Sequence, residues 1–120
     1  MYLEKDGERI IEDLEYAECF LKKIKGLMFR EIDESEGLLM EFPREGKWSI
    51  WMFFVPQDLS VFFVNSEGLV VDKAYAERIT PDPRTWKIYK PKKKCKYVLE
   101  CCPSHFDDIE TGEKLRWNHG

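Results

Sequence analysis

The chain has 120 residues, 43% hydrophobic and 14% aromatic, with a formal net charge of −4. That is one domain over residues 1–120, with apolar mass for a core of its own, and it excludes a disordered chain. The acidic balance offers no global attraction to nucleic acid or anionic lipid, and the longest apolar run, Ile50 to Pro56, is far short of a membrane span.

Residues 2 to 12 place a turn, Lys5-Asp6-Gly7-Glu8, between two short apolar runs, which predicts a small hairpin. The N-terminal stretch is charged and lacks the apolar core of a signal peptide, so the expected location is cytoplasmic. From Leu14 the period changes. Ala17, Phe20, Leu21, Ile24 and Met28 form one helical stripe, three lysines crowd the last turn, and Gly26 suits a C-cap. This predicts one substantial helix near residues 15–25. Gly37 to Phe42 reads as a strand stopped by Pro43.

Residues 48 to 71 are the densest apolar stretch. Pro56 interrupts it, giving strand, proline turn, strand, hairpin and strand. Ile50, Met52 and Phe54 share one face, and Trp51 and Phe53 the other. Leu59, Val61 and Phe63 alternate with Phe62 and Val64. Apolar residues on both faces predict a sheet covered on both sides or curled into a barrel. Asn65-Ser66-Glu67-Gly68 is a hairpin turn. The expected core includes Leu27, Trp51, Phe53, Val61, Phe63 and Leu99.

A long connection from Ile79 to Pro91 follows, and six lysines fall between Lys87 and Lys96. Lys96 to Cys102 reads as a strand, and Glu100 within it is expected to face outward. Ser104 is expected to cap a short helical turn, and Lys114 to Trp117 to form the last strand. The fold class is thus α+β, mainly antiparallel β, barrel-like or a curled sheet. Charged residues make up 35% of the chain, while Asn and Gln are scarce, which leans toward a thermophilic source.

The cysteines, Cys19, Cys95, Cys101 and Cys102, include no C-x-x-C pair. They read as small apolar side chains in a reducing compartment. A zinc site from Cys95, Cys101 and His105 fits no common ligand spacing. No metal and no cofactor is expected.

The stretches Lys25-Gly26-Leu27-Met28-Phe29-Arg30-Glu31, Glu36 to Phe42, Trp51-Met52 with Pro56 and Asp58, Glu67 to Val71, Tyr97-Val98-Leu99-Glu100 and Thr111-Gly112-Glu113 occur in an order that resembles the DUF192 family, also called UPF0127. The resemblance runs from about Glu15 to Trp117. It implies a β-rich single domain with a helix packed on it, and no established activity. Ile50 and Phe53-Phe54-Val55 depart from the family's usual phenylalanine and Lys-Asn-Thr around Trp-Met.

Arg30, Asp58 and Glu100 are the charged residues set in the most apolar segments. Arg30, Trp51 and Asp58 are the candidate ligand-binding residues: a guanidinium for a carboxylate or phosphate, an aromatic wall, and an acid. The structural alternative is an Arg30–Asp58 ion pair joining two loops, and the two residues are expected to be neighbours. His105 and His119 are the only histidines, and no Gly-rich phosphate loop or HExxH is present. The expected function is a small non-enzymatic binding or accessory module for an unknown small molecule or protein. An enzyme using Asp58 as general base is the alternative. A weak nucleic-acid binder through the Lys87–Lys96 loop is the second, with nucleic acid otherwise not expected as a partner and no membrane partner expected.

Overall fold

The computed structural model of the chain describes residues 1–17, 31–52 and 55–118, and only the backbone of Trp51. Its framework is a mixed five-stranded sheet in the order β3-β4-β9-β6-β7, built from Asp13–Ala17 (β3), Glu36–Gly46 (β4), Leu59–Val64 (β6), Val70–Ala76 (β7) and Cys95–Cys101 (β9). Only the β3–β4 pair is parallel. The other three pairings are antiparallel. The order runs from one edge strand to another among the described residues, so the arrangement is an open sheet rather than the barrel offered as one alternative.

Both faces of the sheet are covered. One face presents Leu39, Phe62, Val64 and Leu99 to Leu3, Ile11 and Leu115. Those last residues belong to, or adjoin, a three-stranded sheet of Leu3–Lys5 (β1), Glu8–Ile11 (β2) and Arg116–Trp117 (β10). The other face presents Leu38, Met40, Val61, Phe63 and Val98 to Ile32, Ile50 and Met52. Here a two-stranded ribbon, Ile50–Trp51 (β5) with Ile88–Tyr89 (β8), supplies part of the cover. Every residue of β6 is buried, as alternation of apolar side chains on both faces requires.

The N-terminal hairpin forms as expected, with Asp6 and Gly7 both at positive φ, the pattern of a tight two-residue turn. The second hairpin turns at Gly68 (φ +85°). The 95–101 strand and a last short strand also form.

Four expectations change. Residues 15 to 17 are strand, because Asp13–Ala17 runs parallel to β4 with Glu15 opposite Leu38; the rest of the expected helix lies outside the described residues. Pro43 does not stop its strand. It falls in the interval between Glu41 and Gly46 where the register with β9 shifts, so its missing N–H leaves no gap in a regular ladder. The turn at Pro103–His105 is a single 3-10 turn that begins after Cys102 without a side-chain cap, so Ser104 sits inside it. Glu100 is buried, because β9 lies between β4 and β6 rather than at an edge. Of the expected core, Val61, Phe63 and Leu99 are buried; Leu27, Phe53 and the Trp51 side chain lie outside the described residues.

Candidate functional site

Pro56 ends the apolar run, and the chain crosses the end of the sheet before β6 begins at Leu59. The crossing is pinned by Gln57. Its Oε1 accepts from the Ile32 N–H at 2.6 Å, and its Nε2 donates to the Ile32 carbonyl at 3.3 Å. The same amide lies 3.8 Å from Cys102 Sγ, whose thiol is 3.3 Å from the Ile32 carbonyl. Three segments distant in sequence thereby meet at one amide.

Asp58 follows at once. Its Oδ1 accepts from the Arg78 N–H at 2.8 Å, and its Oδ2 lies 3.4 Å from the Tyr75 hydroxyl. Leu59 pairs with Ala76, so Arg78 is the second residue beyond the paired part of β7. Asp58 therefore holds the chain where it leaves the sheet. The Tyr75 hydroxyl is shifted above its usual value by desolvation and then by the Asp58 charge and hydrogen bond. The Arg78 guanidinium is exposed and makes no ion pair among the described residues. Glu31, Pro56, Gln57, Asp58, Arg78 and Pro103 line an open cleft of about 430 Å³.

Asp58 is thus at the rim of a cleft. Arg30, and with it the Arg30–Asp58 pairing, lies outside the described residues. Trp51 is seen through its backbone, paired with Ile88 in the β5–β8 ribbon. Glu31 lines the cleft beside Gln57 and Arg78. Gln57 is the only glutamine in the chain, and its place between Pro56 and Asp58 was the one available signal for it. Arg78 has none, since an arginine at the start of a long loop looks like any solvated cation.

Glu100 is the other unexpected group. It pairs across the sheet with Leu38 and Val61, and both belong to the face that also carries Val98 and Cys102. Its residue is 7% exposed. No hydrogen bond reaches its carboxylate among the described residues, and desolvation alone raises its pKa to about 7. It lies two residues before Cys102, whose Sγ meets the Gln57 amide.

The remaining polar groups read as structural. His105 Nε2 donates to the Glu34 carbonyl at 2.6 Å, and its Nδ1 is 3.2 Å from the Asp108 carboxylate. Cys95 packs in one core cluster and Cys101 in the other, so they do not converge on a metal. Burial pushes the Cys95 thiol up to about 11, which leaves it protonated and unreactive at neutral pH. Among the described residues no helix is long and apolar enough to cross a membrane.

Comparison with known proteins extends the resemblance. Residues 1–117 match the profile of DUF192, described as “Uncharacterized ACR”. A UPF0127 protein of Thermococcus gammatolerans is 32% identical over 109 residues, 88% of this chain and 66% of that one. A UPF0127 protein of Pyrococcus furiosus is 29% identical over 116 residues, 93% of this chain and 92% of that one. The chain thus spans slightly under two thirds of the first relative and nearly all of the second. A crystal structure of a protein of unknown function from Novosphingobium aromaticivorans superposes with a TM-score of 0.80 at 24% identity. That match covers 97% of this chain and 82% of that one, and it shows a shared fold.

Proposed function

The chain belongs to the DUF192 family, and from that premise we propose that it is a small non-enzymatic binding module whose ligand lies in the cleft of Glu31, Asp58 and Arg78. One observation carries the reading. Asp58 spends its oxygens on the Arg78 N–H and the Tyr75 hydroxyl, while the Arg78 guanidinium has no ion pair among the described residues. A carboxylate engaged in this way is a poor general base and a good anchor. It positions the backbone from which a free guanidinium projects, and a guanidinium binds a carboxylate through two parallel hydrogen bonds. Glu31 at the same cleft favours a ligand that also bears a cationic group. The ligand class is therefore a small zwitterion with a carboxylate, of the amino-acid type.

Arg30 and Trp51 belong to this reading as neighbours in the chain. Arg30 precedes Glu31, and Trp51 precedes Met52, whose carbonyl accepts from Val55 just before Pro56. Arg30 would add a second anion-binding group and Trp51 an aromatic wall.

Calorimetric titration with free amino acids and short carboxylic acids tests the proposal. Binding without turnover is expected, and Arg78→Ala should weaken it about tenfold or more through loss of a charge-assisted contact. Binding indifferent to Arg78→Ala would reject the site. Turnover abolished by Asp58→Asn would replace it with the enzyme reading. In a double-mutant cycle, strictly additive stability effects of Arg30→Ala and Asp58→Ala would show that the two residues do not pair.

A further inference from the structure

The connection from Ile79 to Pro91 is built to hold a particular shape. The Thr80 N–H donates to Thr85 Oγ1 at 2.9 Å, Thr85 Oγ1 donates to the Asp82 carbonyl at 2.8 Å, and Arg84 pairs with Asp82 at 2.6 Å. The Trp86 indole N–H donates to the Thr80 carbonyl at 2.8 Å. Tyr89 faces the protein, its hydroxyl accepting from the Glu77 N–H. Alternation along β8 then turns Ile88 outward. Such a loop could have hidden its apolar side chains, yet Trp86 is 55% exposed and Ile88 68%. They and Tyr75 are the large hydrophobic residues left exposed among those described.

Lysines flank them along the chain. Lys87, Lys90, Lys92, Lys93 and Lys94 are all exposed, and none makes an ion pair among the described residues. Lys96, the sixth, pairs with Glu41 at 3.3 Å. The Lys92 N–H is tied to Asp72 at 2.9 Å, which fixes the start of the lysine run against β7. An indole and an isoleucine presented by a braced loop, followed in the chain by exposed lysines, combine the two forces that hold a protein on a charged bilayer. Apolar side chains enter the acyl boundary, and ammonium groups sit among anionic headgroups. The net charge of −4 does not prevent this, because at physiological salt the field of a patch reaches only about 8 Å.

We infer that the Trp86–Lys94 loop is a peripheral docking site for an anionic lipid surface. Single-stranded nucleic acid is the other polyanion such a patch suggests, but two features favour lipid. Among the described residues the most exposed large apolar side chain is the aliphatic Ile88, which has no π-face on which a base can stack. The cations are lysines, point charges suited to a diffuse headgroup layer, whereas arginine suits bidentate phosphate recognition. The inference does not depend on the reading of the cleft.

Vesicle co-sedimentation of the intact protein tests it, using phosphatidylcholine alone and phosphatidylcholine with about one quarter phosphatidylglycerol. Binding is expected to the mixed vesicles only, falling as salt is raised. Ile88→Ser, and separately the change of Lys92, Lys93 and Lys94 to glutamate, should each reduce it about tenfold or more. Trp86→Phe keeps an apolar ring while deleting the donor to Thr80, and should retain most of the binding. Unchanged thermal unfolding of Ile88→Ser would show that its loss is not a folding defect. The inference is overturned if the protein ignores the mixed vesicles, or if Ile88→Ser binds them as well as the parent. It is also overturned if a single-stranded oligonucleotide binds more tightly than the vesicles and Ile88→Ser leaves that binding intact.

Discussion

The side-chain amide of Gln57 pairs with both backbone groups of Ile32, taking the place of a neighbouring strand. Ile32 is buried, so its N–H and carbonyl have no easy recourse to water. Gln57→Ala should destabilise by about 1–3 kcal/mol, the cost of leaving a buried donor unpaired. Gln57→Glu should cost more at neutral pH, because a carboxylate would face the Ile32 carbonyl. Urea unfolding of both variants checks this, and an unchanged midpoint for Gln57→Ala would mean that the clamp contributes nothing.

Glu100 should make stability depend on pH. Its folded pKa, about 7, lies above the ordinary value of 4.5. The folded state therefore holds the proton more tightly than the unfolded state. The stabilisation is complete below 4.5 and is lost as pH rises through about 7, where it levels off. The change is on the order of 3 kcal/mol. Glu100→Gln should remove this slope, so that the variant gains on the parent as pH rises. Unfolding curves between about pH 5 and pH 8 make the comparison; parallel slopes would show that Glu100 is not the group responsible.

Two glycines at positive φ should respond differently to alanine. At Gly7 (φ +81°) an added methyl meets nothing within 4 Å, so only backbone strain is paid, about 1–2 kcal/mol. At Gly68 (φ +85°) it would stand 2.8 Å from the Leu115 carbonyl, on a residue whose own carbonyl accepts from the Leu115 N–H. Gly68→Ala should therefore cost clearly more than Gly7→Ala. Equal thermal shifts would contradict the close approach of the two chains at Leu115.

Phe63 is the fifth of the six residues of β6, with 1% of its surface exposed. Phe63→Ala should cost about 3–5 kcal/mol, from lost transfer energy and the cavity left behind. A loss below about 1 kcal/mol, measured by denaturant unfolding, would place that side chain at the surface.

Much of the framework was legible because it depends on local pattern. Alternating apolar residues over Leu59–Val64 mark a strand covered on both faces, and Asp6-Gly7 and Asn65 to Gly68 mark turns through their need for positive φ. The parallel strand Asp13–Ala17 was misjudged because its few residues merge into a run with helical spacing. Only its partner in β4 decides between the two periods. Pro43 misled in the same way, since a proline breaks a strand only where the ladder needs its N–H. That depends on where β9 shifts register.

That this is a β-rich domain of the DUF192 family, with Pro56-Gln57-Asp58 at a break in its most apolar stretch, can be read along the chain. Those properties follow from side-chain pattern and backbone preference, which act between near neighbours. The folded arrangement fixes which groups meet. It set Gln57 against Ile32 and Cys102, turned Asp58 toward Arg78 and Tyr75, buried Glu100 between Leu38 and Val61, and left Trp86 and Ile88 in solvent. A carboxylate acquires its partners and its pKa from segments tens of residues away. Strand order and register, which set those segments side by side, arise from the packing of the whole chain.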